Sequence, residues 1–455
     1  MKKKMPRIMI AAPGSGTGKT MLTCALLKAW KERGLRLRAY KCGPDYIDPM
    51  FHKEALGIDS ANLDVFLCGR KFLRRRLFKD AEYTDLAVLE GVMGYYDGIA
   101  GISTEASSYD VADATNTPAV LLVDGRGKSL SILPEIQGFL NFQADSHIQG
   151  VILGRISAGM YPRLKQMIEE KTGISVYGYF PERTDLKVES RYLGLTLPGE
   201  LETLENTLDA LGRQAEETLD LDGLLELAGT AGELEWEDGA FTWEKGAPVQ
   251  IGVARDAAFC FFYRDNLEIL EALGAEITFF SPLEDEKIPE GVDGLIFYGG
   301  YPELYAEKLS ANERMRKSVR RAIEEGMPCI AECGGFLYLQ EYLEDQEGRR
   351  FSMAGALPEG SRYTGRLGRF GYVTLSGETA FGRPAGEIPA HEFHYYDSAD
   401  PGSSFLAKKP LSDRSWRCII STDRMWAGYP HIHYGGSRTF AQNFLEACRD
   451  RRKDR

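Results

Sequence analysis

The sequence predicts two α/β units, the first a doubly wound, mostly parallel sheet and the second an α/β fold with an antiparallel extension. Three observations carry this prediction. Short runs rich in Val, Ile and Leu alternate with helical segments from Arg7 to Pro181, a second alternation starts at Gln250, and an acidic stretch of different character lies between them. Strands that are apolar on both faces belong to parallel sheets covered by helices. Regular alternation of such strands with helices is the pattern of doubly wound folds. The expected boundaries are residues 1–197 for the first domain, 198–247 for a helical and acidic linker, and 248–455 for the second domain.

In the first domain, strands are expected at Arg7–Ala12, Leu37–Lys41, Leu86–Glu90, Ala119–Val123, Ile148–Leu153 and Val176–Phe180, with helices such as Met21–Arg33 and Lys128–Asn141 between them. In the linker, Leu201–Leu208 opens an acidic amphipathic helix and Leu221–Leu227 suggests another, while Thr230–Gly246 has no periodicity. In the second domain, strands are expected at Gln250–Ala254, Ala275–Phe280, Gly294–Tyr298 and Pro328–Glu332, and helices at Asn266–Leu273, Ala311–Glu325 and Phe336–Tyr342. Beyond Met353 the chain turns to short β-like runs rich in glycine and aromatics.

The most informative stretch is Ile8–Thr20, in which an apolar strand runs into Pro13-Gly14-Ser15-Gly16-Thr17-Gly18-Lys19-Thr20 and then into an apolar helical pattern. Phosphate binding needs that order. Backbone N–H groups of the loop point at anionic oxygens, and the helix N-terminus adds partial positive charge. Gly16, Thr17, Gly18, Lys19 and Thr20 are the candidate nucleotide ligands, with Lys19 on the outer phosphates and the Thr20 hydroxyl on Mg²⁺. Pro13 stands where the common pattern has its first glycine.

Composition narrows the function classes. The chain has 455 residues, a net charge of −12 and 43% hydrophobic residues. An acidic balance argues against a general nucleic-acid binder. No apolar run approaches a membrane span, and the stretch after Met1-Lys2-Lys3-Lys4 reads as a first strand, not as a signal peptide. Eight cysteines without a C-x-x-C pair exclude a zinc framework and fit a reducing, cytoplasmic setting.

Two further first-domain runs follow strands. In Lys41–His52, Asp45, Tyr46 and Asp48 lie beyond a strand's carboxyl end, where doubly wound sheets bind ligands, and Asp45 is a candidate for Mg²⁺. In Glu90–Gly98, Glu90 is placed to ligate Mg²⁺ and Asp97 to meet substrate. In the second domain, Cys333 sits between a strand and a helical pattern, a position that favours a nucleophilic thiolate. Gly299 and Gly300 follow another strand and offer backbone N–H groups for an oxyanion hole. His431 and His433, in Gly428–Tyr434, are candidate general bases for Cys333.

Cys333 in a strand–turn–helix, the upstream Gly299-Gly300 loop and a late histidine resemble class I glutamine amidotransferases. That family carries a glutamate two residues after its histidine; His433 occupies the position here. The resemblance places the base at His431, with His433 either orienting it or serving as the base itself.

Taken together, the phosphate loop, Lys41–His52, Glu90–Gly98, Pro181-Glu182-Arg183, Ala258–Phe261, Tyr298–Glu303, Cys333-Gly334-Gly335, His391–His394 and His431–His433 resemble the cobyrinic acid a,c-diamide synthase family across nearly the whole chain. The first domain is also similar to dethiobiotin synthetase, whose loop likewise lacks the first glycine. Gly154-Arg155 stands where the family pattern has Asn-Arg. The resemblance implies ATP- and glutamine-dependent amidation of two acetate carboxylates of cobyrinic acid through acyl phosphates, with Mg²⁺ as cofactor and a homodimer as a possible assembly. It also admits hydrogenobyrinic acid or a nickel sirohydrochlorin as substrate. A phosphate-loop ATPase with a non-catalytic amidotransferase domain is the competing reading.

Overall fold

The computed structural model describes residues 1–183, 198–236 and 244–453, with the backbone alone for 198–203. The chain forms two compact units, Met1–Ala240 and Phe241–Arg455.

The first unit is built on β1 (Arg7–Ala11), α1 (Lys19–Glu32), β2 (Leu37–Cys42), α2 (Ile47–Leu56), β3 (Ser60–Leu63), α3 (Val65–Asp80), β4 (Leu86–Glu90), α4 (Ser108–Thr115), β5 (Ala119–Asp124), α5 (Ile132–Asn141), β6 (Ile148–Gly154), α6 (Tyr161–Thr172) and β7 (Ser175–Phe180). Its seven strands are ordered β3-β2-β4-β1-β5-β6-β7, and every neighbouring pair is parallel. Every residue of β1 is buried, as expected of a central strand covered on both faces. Ile8 and Ile10 pack against Leu22, Ala25, Leu26 and Trp30 of α1, a helical 3–4 spacing that lays one face of α1 on the sheet. The chain turns to opposite sides of β1 at β4 and β5, so the loop leaving β1 opens at the switch point, where such sheets bind ligands.

Two features depart from the sequence reading. β3, with the sequence Ser-Ala-Asn-Leu, is an additional edge strand. It is too short and too poor in β-branched residues to read as one. Asn62 on β3 donates to the backbone oxygens of Gly43 and Asp45, so this strand holds the loop that follows β2. The segment expected to be a linker is instead largely part of the first unit. Helices α7 (Pro198–Thr218) and α8 (Leu221–Gly229) place Leu208, Leu211, Leu224 and Leu227 in the same core as α1. Both helices are where the sequence expected them, but their acidic outer faces disguised that their leucines pack into the first unit's core. Residues 184–197 and 237–243, which include the expected 197/198 boundary, lie outside the described residues.

The second unit has a six-stranded sheet made from β8 (Val249–Ala254), β9 (Ala275–Phe280), β10 (Gly294–Phe297), β11 (Cys329–Glu332), β16 (Ile420–Ser421) and β17 (Met425–Gly428), in the order β9-β8-β10-β11-β17-β16. Only β16 runs antiparallel. Helices α9 (Arg264–Ala272), α10 (Glu313–Glu324), α11 (Gly334–Leu339) and α12 (Arg438–Lys453) accompany it. The expected antiparallel extension is present as a five-stranded sheet of β12 (Phe370–Gly377), β13 (Glu387–Phe393), β14 (Phe405–Lys408), β15 (Ser415–Cys418) and β18 (His431–Ile432). The helix expected to reach Tyr342 stops at Leu339 because Gln340 takes an extended conformation, and Tyr342 begins another strand. All eight cysteines are free. Among the described residues no helix is long and apolar enough to cross a membrane.

Arg7 ties the start of the first unit to its end. Its buried guanidinium donates to Thr117 Oγ1 at 3.0 Å and to the backbone oxygens of Met5, Thr115 and Gly232 at 3.0, 2.6 and 2.8 Å. Burial pushes its pKa down to about 10, yet it stays charged at neutral pH. Arg7→Met keeps most of the stem volume and orphans these acceptors, a loss of about 2–4 kcal/mol. The expected result is a lower urea midpoint for the first unit, read by far-UV circular dichroism.

Candidate active site

The loop leaving β1 forms an open cradle. Gly18 ends it with φ of 102° and caps α1 without a side-chain hydrogen bond, so the first-turn N–H groups remain available to an anion. A Cβ on Gly14, Gly16 or Gly18 would meet no atom within 4 Å. Lys19 Nζ lies 3.0 Å from Gly14 O and 2.5 Å from Met93 O. Burial, followed by the neighbouring Lys41, lowers its pKa to about 8. Arg155, held at φ of 56°, donates to Asp124 at 2.7 Å and to Gly16 O at 2.6 Å. It thereby fastens the phosphate loop to the end of β5.

A buried charge cluster adjoins the cradle. Thr20 Oγ1 donates to Glu90 Oε1 at 2.6 Å, and Lys41 Nζ reaches the same oxygen at 2.8 Å and Asp48 at 2.5 Å. His52 Nε2 stands 3.5 Å from Glu90 Oε2. Burial opposes ionisation of Glu90, but Lys41 and His52 hold its carboxyl well below the usual range. Glu90 Oε2 has no hydrogen-bond partner. A threonine hydroxyl and an ionised carboxylate in contact with each other beside a phosphate cradle are oxygen donors that would fit Mg²⁺, which keeps few protein ligands and shares phosphate oxygens.

The other first-unit candidates divide. Asp45 Oδ1 accepts from the N–H groups of Ile47 and Asp48 at 2.9 and 3.1 Å, which is the work of a cap at the start of α2. The Oδ1 atom is thus engaged by the turn, while the carboxylate still acts on Lys41 and Asp48 of the cluster. Among the described residues no group of three or more His, Cys, Asp or Glu side chains is arranged to hold a metal. Asp48 is buried against Lys41, Tyr46 sits half-buried at the start of α2, and Asp97 accepts from the Gly94 N–H at 2.9 Å. Lys41 received no role from the sequence, although it is the penultimate residue of β2 and forms the centre of this cluster. Its position at a strand's carboxyl end was the available signal.

In the second unit, Cys333 directly follows β11 and starts α11 with φ of 47° and ψ of −103°. That left-handed backbone costs about 1–3 kcal/mol in a residue with a side chain, and it lifts the thiol out of the sheet in the manner of a nucleophile elbow. A Cβ on Gly335 would fall 2.1 Å from Phe297 O, so only glycine lets the turn close against β10. The Gly299-Gly300 loop reaches the elbow, with Gly300 N 3.0 Å from the position of a Cβ on Gly334. Burial, and then the Glu303, Glu392 and Glu332 carboxylates, push the thiol pKa up.

His431 arrives from the other sheet. After β17, which pairs with β11, the chain turns at Tyr429-Pro430 and enters β18, where His431 pairs with His391 of β13. The His431 ring lies on Gly299: a Cβ there would stand 2.5 Å from its Cε1. Its Nδ1 is 3.8 Å from Glu332 Oε2. Burial, with smaller contributions from His391 and His394, lowers its pKa to about 3, so the imidazole is neutral at physiological pH. His433 is also buried but has different neighbours. Its Nδ1 accepts from Gly435 N–H at 3.1 Å, its Nε2 is 3.6 Å from Asp265 of α9, and its ring packs on Tyr263. The structure therefore brings Cys333, Gly299, Gly300 and His431 together and separates the surroundings of the two histidines. Asn266 donates to Ile432 O and accepts from Tyr434 N–H, both at 2.8 Å, and pins the segment that carries them. Neither Asn266 nor Glu332 stood out in the sequence, because only folding brings them to this strand.

A phosphate-cradle unit joined to a cysteine-elbow unit defines a nucleotide-binding amidotransferase. Residues 8–194 match the CobQ/CobB/MinD/ParA nucleotide binding domain, and residues 250–439 match the CobB/CobQ-like glutamine amidotransferase domain. The chain is 36% identical over 446 residues to a cobyrinate a,c-diamide synthase of Caldanaerobacter subterraneus subsp. tengcongensis, covering 97% of this chain and 98% of that protein. It is 38% identical to the Clostridium acetobutylicum protein of the same name, covering 97% and 100% of the two chains. For the Thermoplasma volcanium protein of that name the identity is 35%, covering 98% of each. The chain belongs to the cobyrinate a,c-diamide synthase family, whose members are glutamine-dependent amidating ligases.

The Gly299 contact makes a specific prediction. Gly299→Ala forces the His431 ring away from its position, and displacements of about 1 Å in a reacting group can cost about a hundredfold. Glutamate release from glutamine is expected to fall by about that factor while KM for ATP stays unchanged.

Proposed function

We propose that this chain amidates the a and c acetate carboxylates of cobyrinic acid, with ATP as the activating co-substrate and glutamine as the nitrogen donor. The observation that carries the reading is the pairing of an open phosphate cradle with a strained cysteine elbow in one chain. Relatives of matching length, which bear the name of that activity, support the choice of substrate.

Each unit then has a chemical task. A carboxylate cannot be amidated directly, because oxide or hydroxide is too poor a leaving group. In the first unit the substrate carboxylate attacks the terminal phosphoryl group of ATP, giving an acyl phosphate and ADP. Lys19 and the loop N–H groups stabilise the charge that spreads over the phosphoryl oxygens. Mg²⁺, held by Thr20 and Glu90, supplies further neutralisation of the phosphates when bound. Tyr46, Asp48 and Asp97, with Asp45 holding the turn that precedes α2, make the substrate side of the site.

In the second unit Cys333 attacks the side-chain amide of glutamine. His431, neutral at working pH, takes the thiol proton and delivers it to the departing nitrogen, so ammonia and a glutamyl thioester form. Gly299 and Gly300 N–H groups receive the developing oxyanion. Water, deprotonated by the same histidine, then releases glutamate. Ammonia attacks the acyl phosphate, and inorganic phosphate leaves. The contacts of His433 with Asp265 and Gly435 support a role for it in holding the segment behind His431. Two cycles give the diamide.

The deciding assay offers ATP and glutamine with cobyrinic acid, hydrogenobyrinic acid or a nickel sirohydrochlorin in parallel, read by mass spectrometry. Exchange of two hydroxyls for amino groups on cobyrinic acid supports the proposal; exchange on another tetrapyrrole alone reassigns the substrate. Glutamine hydrolysis without ATP separates this reading from that of an ATPase with an inert second unit.

Three variants divide the labour. Cys333→Ala is expected to abolish glutamine-dependent amidation and to retain synthesis from free ammonia. Lys19→Ala is expected to lose roughly a hundredfold or more with either nitrogen source. His431→Asn is expected to lose roughly 10²–10⁴ in glutaminase rate, with His433→Asn less damaging. The reverse ranking in steady-state glutamate release exchanges the two roles.

A further inference from the structure

Class I amidotransferases, as the sequence comparison with that family implies, draw the acid that orients the base from two residues beyond the histidine. In this chain that position is His433, which faces Asp265. The second unit nevertheless places a carboxylate behind His431. Glu332, the last residue of β11 and the one immediately before the nucleophile, is 2% exposed. Its Oε2 is 3.8 Å from His431 Nδ1, and its Oε1 is buried with no hydrogen-bond partner. Burying a carboxyl with an unused oxygen costs stability. A residue that only filled space at the end of β11 would be apolar, as Ile330 and Ala331 are.

We propose that Glu332 is the positioning residue of the amidotransferase site, holding His431 through Nδ1 so that Nε2 faces Cys333. The proposal rests on His431 being the base, as argued above. The acid of the triad then comes from the nucleophile's own strand and not from the histidine's segment. The register supports this. β11 and β17 are parallel neighbours with Glu332 opposite Gly428, and the turn at Tyr429-Pro430 brings His431 back over the end of β11. A side chain directed from position 332 therefore meets the returning strand, while Cys333, one residue on, is turned out by its left-handed backbone.

The chemistry follows from the neighbours. Glu332 faces His431 of β18, the Tyr298 hydroxyl at the end of β10, the Tyr434 hydroxyl beyond β18 and the Cys333 thiol. His431 in turn faces His391 and His394. No cation is among these neighbours. When His431 accepts the thiol proton, an imidazolium appears in a dry site, and an ionised Glu332 is the group positioned to stabilise it at Nδ1–H. Burial pushes the Glu332 carboxyl up, with the Ile432 N–H acting in the opposite direction. The sign is then set: the ionised form supports catalysis, so glutaminase kcat falls as pH drops through this raised pKa.

The test is a double-mutant cycle on the full chain, with glutaminase pH profiles and the rate of Cys333 alkylation by iodoacetamide as readouts. Glu332→Gln is expected to lower kcat about ten- to a hundredfold, with KM for glutamine little changed, and to remove the acid limb that Glu332 contributes. Glu332→Asp is expected to restore part of the rate and to show an acid limb of its own, which a purely structural role would not produce. In a His431→Ala background, Glu332→Gln is expected to add no further loss in alkylation rate. A Glu332→Gln enzyme with wild-type kcat and pH profile, or losses that simply multiply in the double variant, overturns the proposal. If His431→Ala alone alkylates at the wild-type rate, it is the assignment of the base that fails.

Discussion

The left-handed backbone at Cys333 is the constraint on which the second unit's site depends. A residue with a side chain occupies that conformation at a cost of about 1–3 kcal/mol, and its surroundings hold it there. The Cys333 N–H donates to Gly428 O at 2.8 Å, extending the β11–β17 ladder one residue past the strand, while Cys333 O accepts the first bond of α11. The turn is thus fixed at both ends. Gly334 and Gly335 let it close against Pro302 and Phe297, where any side chain would collide. Once the turn is set, the thiol stands beside the Gly299-Gly300 loop, and the strand carrying His431 has one place to return.

Burial governs the electrostatics at both sites, with opposite outcomes. Around Glu90 the low-dielectric surroundings are filled with partners: Lys41, Thr20 and His52 converge on one carboxylate and keep it ionised. Around Cys333 burial dominates, with carboxylates beside the thiol and other imidazoles beside His431, and both thiol and imidazole are driven towards their neutral forms. Neutral forms suit a thiol and a base that must exchange a proton only when substrate is present. The charged cluster suits a site whose ligand is itself highly charged. Burial therefore stores a ready anion in one unit and postpones charge separation in the other.

Much of this was legible along the chain. The strand–glycine loop–helix order around Lys19 requires no tertiary knowledge, because loop, helix dipole and lysine are consecutive. The central strands of both sheets were readable for the same reason, since a strand buried on both faces is continuously apolar. Elements whose character comes from their neighbours were not. β3 carries no strand pattern of its own and becomes a strand by pairing with β2. The acidic helices α7 and α8 look like a connector and become core because α1 offers them an apolar face. Asp45 has the composition of a metal ligand and the geometry of a cap.

By itself the sequence determined the two α/β units, the phosphate loop with Lys19 and Thr20, the cysteine elbow and the glycine loop before it, all features written in adjacent residues. Tertiary structure alone decided which partners the isolated polar residues meet. His431 and His433 are two residues apart and chemically identical, yet one lies on Gly299 beside Glu332 and the other against Asp265 and Gly435. The difference arises because β18 ends at Ile432, so His431 stays in the ladder with β13 while His433 opens the Tyr434–Gly436 turn beside α9. Pairing between strands from distant parts of the chain sets that turn, and no local preference of the residues encodes it.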